Sequence, residues 1–251
     1  MHILGLLIVI LSVTVAQSDQ AVTVLTTTRA ALGGEARIAT VKTFIANGRT
    51  RQIRGNNLVP IEFEIQAELP HKYSRRDEVP AQDTAPSLTG FNGDVLILVP
   101  PLPPEQTAAA SGRVAAAKQE FARLVLGMFA MSVDSFPLTF RYAGQAEAPQ
   151  GKADVLDVSG PANFMVRLFI DSQTHLPLMV SWQAPAGPAR GGTPPPPMEQ
   201  RMYFADYRSV DGFQLPFRIR RASGPDTTEE TTFDRFRINA RVDPRRFQSG
   251  G

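Results

Sequence analysis

Hydrophobic and polar residues alternate along several segments of the chain, and this period of two predicts β-strands. In the segment 61–69 every odd-numbered residue is apolar and nearly every even-numbered residue is charged. Segment 213–220 repeats the alternation around Pro216, which indicates an edge strand or a bulge because proline has no N–H to donate to a neighbouring strand. Such alternation is typical of strands with one face in a core and one in water.

Two further runs predict a β-hairpin. Alternate apolar residues occupy positions 164–170 and 178–182, and the polar segment 171–175 between them has the composition of a turn. Weaker strand patterns cover residues 41–53, 72–77, 94–99, 138–142, 154–158, 202–210 and 231–238. The spacing of all these segments is typical of a meandering antiparallel sheet.

Two other segments have the period of a helix. A short one covers residues 22–32. It is expected to end there because Gly33 and Gly34 follow, and glycine just past a helix favours its termination. A long one covers residues 111–131, where apolar residues three and four positions apart form one stripe. The residues of the stripe are Val114, Ala117, Phe121, Leu124, Val125, Met128 and Met131.

These elements predict a mainly β fold with helices, of the α+β class, in which the long helix covers one apolar face of a curved sheet. Two architectures bury one face of every strand: a closed β-barrel and an open antiparallel half-barrel with a helix in its mouth. The proline-rich segment 100–104 is a stiff connector before the helix. A second segment rich in proline and glycine, 185–197, is expected to be a solvent-exposed hairpin loop.

The N-terminus predicts export. Residues 3–13 are almost all Ile, Leu and Val, a length that suits the apolar region of a signal peptide but not the roughly 20 residues of a membrane span. Small residues at Thr14 and Ala16 suit signal-peptide cleavage. We therefore expect a signal peptide over residues 1–16 and a single periplasmic domain over 17–251. No other segment is apolar and long enough to indicate an integral membrane protein, and the chain has no cysteine for a lipid anchor.

The sequence offers little catalytic chemistry. After residue 16 the only histidines are His71 and His175, which are far apart and lie in no metal-binding spacing. Neither a nucleophile elbow nor a phosphate-binding glycine loop is present. The net charge of +2 is too small to argue for a nucleic-acid partner. We therefore expect a protein without enzymatic activity, metal or cofactor.

The apolar inventory is the most informative part of the composition. Fifteen Phe and seven Met residues accompany a single Trp, and many of them occupy predicted inward positions. In the first interpretation, these side chains fill an ordinary core. In the second, they line an apolar cavity that binds acyl chains, to which flexible methionines adapt. Composition alone leaves both interpretations open.

The order of segments resembles one family, the periplasmic lipoprotein-carrier proteins of the LolA/LolB type, with their outer-membrane lipoprotein-sorting relatives. The similar segments are spread over nearly all of the chain after residue 16, at 40–44, 68–73, 91–96, 169–177, 207–216 and 238–247. For example, Asp171, Thr174 and Pro177 match an Asp-x-x-Thr-x-x-Pro hairpin of the sorting proteins. Leu69 stands where the family has an arginine before proline. Arg49 and Arg51 are the candidates for the family's lid-anchoring arginine.

The resemblance implies an unclosed β-barrel whose helices cover a hydrophobic cavity for the acyl chains of lipoproteins, without catalysis. The implied function is a carrier or binding protein for lipoproteins or other acylated ligands, with the helix 111–131 as its lid. The alternative is an envelope sensor or protein-interaction module that acts through the arginines at 218–221 or the proline loop. The residues expected to line the cavity are Phe44, Phe63, Ile65, Leu96, Phe121, Leu124, Met128, Phe140, Phe164, Val166, Leu168, Val180, Trp182, Phe204, Phe213 and Phe217.

Overall fold

Twelve β-strands form one antiparallel sheet in the computed structural model of the chain, which describes residues 8–55, 57–148, 151–185 and 196–248. Residues 1–7 of the predicted signal peptide lie outside the described residues, and so does most of the predicted proline loop. The strands are β1 (Thr43–Arg54), β2 (Asn57–Glu68), β3 (Lys72–Glu78), β4 (Ser87–Asn92), β5 (Val95–Val99), β6 (Thr139–Ala148), β7 (Gly151–Gly160), β8 (Phe164–Asp171), β9 (Pro177–Pro185), β10 (Pro197–Val210), β11 (Phe213–Ser223) and β12 (Asp226–Ile238).

The sheet is a meander that is joined in the middle by its first and last strands. Its order is β5-β4-β3-β2-β1-β12-β11-β10-β9-β8-β7-β6, so every neighbouring pair except β1 and β12 is also consecutive in the chain. β5 and β6 stand at the two ends of this order, and the described sheet is therefore open. Of the two predicted architectures, the open antiparallel sheet is confirmed and the closed barrel is wrong.

Three α-helices accompany the sheet in the described residues: α1 (Ile8–Ala31), α2 (Glu35–Ile38) and α3 (Ala110–Phe129). The predicted long helix is confirmed as α3, and the segment 22–32 forms the last part of α1, which ends before Gly33 and Gly34. Among the described residues, no helix has the length and apolar character needed to cross a membrane.

The sheet curls around α3. The Phe121 ring of α3 lies 5.8 Å from the ring of Phe91 in β4, measured between centroids. Two residues further on, the Arg123 guanidinium lies 5.5 Å from the ring of Phe164 in β8. β4 and β8 are eight positions apart in the sheet order, about 38 Å in a flat sheet. One helical turn reaches both strands only because the sheet is strongly curved, as the half-barrel prediction requires.

The inward face of the strands forms one hydrophobic core with α1 and α3. In β11 the alternation is clear, because Leu215, Phe217 and Ile219 are buried whereas Arg218 and Arg220 are exposed. β11 is an interior strand, so an edge position for Pro216 is wrong. The pairing of β11 with β12 nevertheless begins only at Arg218. Pro216 therefore lies outside the hydrogen-bonded region between these two strands, where its missing N–H breaks no hydrogen bond to β12.

α3 approaches the sheet closely at Gly127. A Cβ atom built on Gly127 would lie 2.1 Å from the ring of Phe204, which is buried in β10. The hydroxyl oxygen of Tyr207, also in β10, lies 3.0 Å from the carbonyl oxygen of Gly127. The helix backbone at Gly127 thus packs directly on the side chains of Phe204 and Tyr207.

We expect Gly127→Ala to destabilise the protein, although glycine inside a helix is normally worse than alanine. The added methyl group overlaps the Phe204 ring and should lower the free energy of unfolding by about 1–3 kcal/mol. Gly112 is the matched control on the same helix, since a Cβ there meets nothing within 4 Å. Gly112→Ala should raise the stability in urea denaturation by about 0.5–1 kcal/mol. Equal effects of the two variants would contradict the close packing at Gly127.

Candidate functional site

The sixteen side chains predicted to line a cavity all lie on the side of the sheet that faces α3, in or against its hydrophobic core. Leu96, Phe140 and Trp182 are partly buried and the others are buried. Most of this region is closely packed. Ile65, Leu96 and Leu124 line an open cavity beneath α3, and Phe204 also borders a groove on the opposite face. A ligand-binding role stays a prediction for all sixteen side chains.

The cavity beneath α3 has a volume of about 490 Å³. This lies within the range of about 300–1,000 Å³ that small-molecule sites in proteins occupy. α3 forms one wall with Ala116, Ala117 and Leu124. The apolar part of the other wall comes from five strands and consists of Ile65, Tyr73, Leu96, Leu98, Ile219 and Phe233.

One end of the cavity is charged, and ion pairs there connect α3 to the sheet. The carboxylate of Glu120 in α3 accepts a hydrogen bond from the guanidinium of Arg221 in β11. Arg123, one helical turn further on, lies 3.4 Å from the other oxygen of the same carboxylate. Arg221 Nε also lies 3.4 Å from Glu229 in β12. Glu120 of α3 is thus connected directly to β11 and, through Arg221, to β12.

Two hydroxyl groups extend this network to β1 and β3. Thr231 donates to Glu229 at 3.1 Å, and the hydroxyl oxygens of Thr50 and Thr231 are 2.8 Å apart. Arg75 Nη2 donates to Thr50 at 3.2 Å, and its Nε donates to Asp77 at 2.8 Å. Because Thr50 accepts from Arg75 and Thr231 donates to Glu229, Thr50 must be the donor to Thr231. All charged side chains of the cavity lining except Arg113 are therefore connected through one network.

Burial and neighbouring charges together determine the ionisation of this network. Burial opposes the charge of Glu120, but Arg221 outweighs it and holds the pKa of the carboxyl below its ordinary value. Burial likewise opposes the charge of Arg221, and Glu120 and Glu229 raise the pKa of the guanidinium above its usual range. Burial raises the pKa of Tyr73. At neutral pH the cavity thus contains a neutral phenol beside ionised pairs.

Further contacts hold α3 in place. The hydroxyl oxygen of Tyr207 lies 2.8 Å from the carbonyl oxygen of Pro177, in addition to its contact with α3. Arg29 of α1 donates to the carbonyl oxygen of Ala130, just past the end of α3, at 2.9 Å. The Arg123 guanidinium lies 4.2 Å from the centroid of the Trp182 ring, a cation–π distance. α3 is therefore attached to α1 and to both halves of the sheet.

Arg49 and Arg51, the sequence candidates for a lid-anchoring arginine, do not contact α3. Thr50 between them is buried in the network described above, so both arginines point to the opposite face of the sheet. Arg49 lies 3.3 Å from Asp234 there. The candidate assignment is wrong, and Arg221 is an arginine that reaches α3 from the sheet instead.

The charged side chains of the cavity were not predicted from the sequence, although a signal existed. Arg221 follows Leu215, Phe217 and Ile219 at intervals of two, and therefore occupies the next inward position of β11. The arginines at 218–221 do not act as one group, because Arg218 and Arg220 point away from α3. A charge at an inward position of an alternating strand was the feature that indicated a polar site.

The cavity can hold an apolar chain against its wall and a polar group at its charged end. The cavity surface carries three arginines and three carboxylates, so its formal charges balance. They are Arg75, Arg113 and Arg221, and Asp77, Glu120 and Glu229. In the described part of the chain, no group of three or more His, Cys, Asp or Glu side chains is placed to hold a metal ion. The cavity thus combines an apolar wall with three arginines and three carboxylates.

No protein-family model matches the sequence, and no curated protein sequence matches it. Solved structures do match. A LolA superfamily protein from Nitrosomonas europaea superposes with a TM-score of 0.58 at 11% identity, over 91% of this chain and 97% of that one. A protein domain assigned to outer-membrane lipoprotein sorting, from Vibrio parahaemolyticus, gives 0.53 at 8% identity, over 92% and 97%. The likeness seen in the sequence is therefore confirmed at the level of the fold, and the chain is a LolA-like open half-barrel.

Proposed function

We propose that the protein is a non-catalytic carrier or binding protein of the periplasm that holds the acyl chain of a lipoprotein or another acylated molecule. The cavity of about 490 Å³ beneath α3, with an apolar wall and a charged end, is the observation that carries this proposal. An acyl chain gains about 0.8 kcal/mol for each CH₂ group that it buries, so affinity requires no catalytic or metal chemistry. The ligand's polar group lies at the end formed by Arg75 and Arg221.

α3 is the cover of the site in this proposal. Its residues Ala116, Ala117 and Leu124 form one wall, so a ligand enters or leaves when the helix moves relative to the sheet. The contacts that resist this movement are polar at Glu120 and apolar at Phe121. Ion pairs at a partly exposed position contribute little to stability individually, which suits contacts that must open and close.

The proposal is tested by lipid analysis and by one cavity-filling variant. The protein is purified from a bacterial periplasm, and native mass spectrometry followed by lipid extraction should reveal a co-purifying acylated molecule. Ala117→Phe, which projects a ring into the cavity, should weaken binding of a synthetic palmitoylated lipopeptide about tenfold or more, as measured by fluorescence titration. Filling the space removes the surface against which the chain is buried.

The control is Ala115→Phe. Ala115 lies on the same helix, is half-buried and is not part of the cavity wall, so this variant carries the same added ring outside the site. It should bind the lipopeptide as the unmodified protein does. A ligand-free mass that persists after incubation with lipopeptide would overturn the carrier proposal and favour an envelope interaction module with the same fold.

A further inference from the structure

A second concavity, larger than the cavity beneath α3, lies on the face of the sheet that points away from α3. It is a groove of about 1090 Å³ that crosses the sheet from β1 to β6. The residues alternate as they do on the inner face: Thr50 and Ile219 are buried, whereas Arg49, Arg51, Arg218 and Arg220 point outward into the groove. The groove therefore lies on the opposite face of the sheet from the cavity beneath α3, and an inference drawn from it does not rest on the proposed function.

The groove has a cationic end. Arg49 and Arg51 of β1 and Arg218 and Arg220 of β11 line it, with Glu230 of β12 between them. Arg49 is paired with Asp234 at 3.3 Å, and Arg220 lies 4.1 Å from the centroid of the Tyr203 ring. Within the described part of the chain, the guanidinium groups of Arg51 and Arg218 have no hydrogen-bond or ion-pair partner, although Arg208 and, through a longer-range attraction, Arg218 lower the pKa of Asp206. Two cations are thus available to an acidic group.

The other end has an apolar floor. The strand register places Arg220 opposite Tyr203, Tyr203 opposite Met179, and Met179 opposite Phe169, in one row across the sheet. Ala153 of β7 lines the groove beyond this row. From β10 to β7 the floor spans three strand spacings, about 14 Å. Half the hydrocarbon thickness of a bilayer, the depth that one lipid chain fills, is about 15 Å.

We propose that this groove is a second ligand site, which binds a single amphiphile with one acyl chain and an acidic head group. The chain lies along Tyr203, Met179 and Phe169, and the head group accepts hydrogen bonds from Arg51 and Arg218. An extended peptide suits the groove less well, because backbone groups in the middle of a paired sheet are already hydrogen-bonded and an acyl chain requires no such partners. Two further carboxylates border the apolar end, but Glu147 is paired with Lys152 and Asp171 accepts hydrogen bonds from its own turn.

Calorimetric titration with dodecyl phosphate, below the concentration at which it forms micelles, tests the proposal. The unmodified protein should bind it. Its affinity for the uncharged dodecyl maltoside should be lower by a factor of about ten or more, because hydrogen bonds to a charged group account for such a factor. Laurate distinguishes two sources of the acid: equal affinity supports any acidic amphiphile, whereas binding of dodecyl phosphate alone supports a phosphorylated one. Tight binding of the maltoside, or no binding of either acid, would overturn the proposal.

Two pairs of matched variants locate the site. The double variant Arg51→Gln/Arg218→Gln should lose affinity for dodecyl phosphate about tenfold, whereas Arg235→Gln/Arg237→Gln, exposed on β12 outside the groove, should not. Met179→Gln should also weaken binding. Met165→Gln, at a methionine that is 74% exposed outside the groove, should leave binding unchanged.

One more variant distinguishes binding in the groove from binding in the cavity beneath α3. Ala117→Phe fills that cavity, so dodecyl phosphate binding that survives Ala117→Phe but fails in the arginine double variant assigns the ligand to the groove. The reverse result, loss in Ala117→Phe and retention in the double variant, would place the amphiphile beneath α3 and overturn the second site. Failure of lipopeptide binding in the carrier test leaves this outcome unaffected, since the two ligands are assigned to opposite faces.

Discussion

Phe121→Ala is expected to lower the free energy of unfolding by about 3–5 kcal/mol, the usual cost of removing a buried aromatic ring. The Phe121 side chain is 2% exposed and lies where α3 meets β1, β3 and β4. Its ring centroid is 4.8 Å from that of Tyr73, 5.8 Å from that of Phe91 and 6.1 Å from that of Phe44. No other side chain of α3 has as many aromatic contacts among the described residues.

Urea denaturation followed by circular dichroism measures this loss, and hydrogen exchange shows whether α3 opens before the sheet unfolds. Met165→Ala is the control, because a largely exposed side chain of β8 should change stability by less than about 0.5 kcal/mol. If Phe121→Ala cost less than about 1 kcal/mol, the ring would not be what holds α3 on the sheet. The proposed cover would then depend on its other contacts, such as the ion pair of Glu120 with Arg221.

Arg221→Met is expected to lower the free energy of unfolding at pH 7 by about 2 kcal/mol. This value lies between the cost of breaking an exposed ion pair and that of leaving a charge buried without a partner. The variant keeps a long apolar side chain at an inward position of β11, but it removes the cation from between Glu120 and Glu229. Two carboxylates then face each other at the charged end of the cavity.

The pH dependence distinguishes lost charge from lost packing. The folded pKa of Glu120 lies below its unfolded value, so the pair stabilises the protein fully above the ordinary glutamate pKa of about 4.3 and loses this effect as the pH falls through the lower folded value. In Arg221→Met one cation is absent and Arg123 remains, so burial is opposed less strongly and the pKa of Glu120 is lowered less. The stability difference between the two proteins should therefore be largest near neutral pH and should shrink as the pH falls below about 4.3.

Urea denaturation between pH 7 and the acid limit of the folded protein provides this comparison. Arg235→Met is the matched control, since Arg235 is exposed on β12 and points away from α3. Its effect should be small at every pH. A deficit in Arg221→Met that stays constant down to acidic pH would show that packing of the arginine side chain, and not its charge, is what the protein loses.

Local sequence patterns were sufficient for most elements of the fold. The alternation in 61–69 and 213–220 predicted β2 and β11, because a sheet with one buried face imposes a period of two. The stripe from Val114 to Met128 predicted α3 for the same reason at the period of a helix. The turn at 171–175 was also predicted, and there Asp171 accepts hydrogen bonds from the backbone of Gln173 and Thr174. β4 was not among the predicted strands, since its polar residues and Gly90 lack alternation.

The tertiary structure decided how these elements meet. The pairing of β1 with β12 joins segments almost two hundred residues apart, and no local pattern records a partner at that distance. The curvature that brings β4 and β8 to one turn of α3 follows from the twist accumulated over the whole sheet. The same curvature gathers Arg75, Glu120 and Arg221 from three elements into one cavity, although each is an isolated charge in the sequence.

What the sequence by itself determined is therefore most of the strands and helices, which of their faces are apolar, and the open sheet as one of two ways to bury them. These depend on the residue's own side chain and on neighbours within a few positions. The position of the cavity, the ion pairs that connect it to α3 and the arginine groove on the outer face depend on contacts between distant segments. Only the tertiary structure determines such contacts, because the side chains that bury or pair with one another are far apart in the sequence.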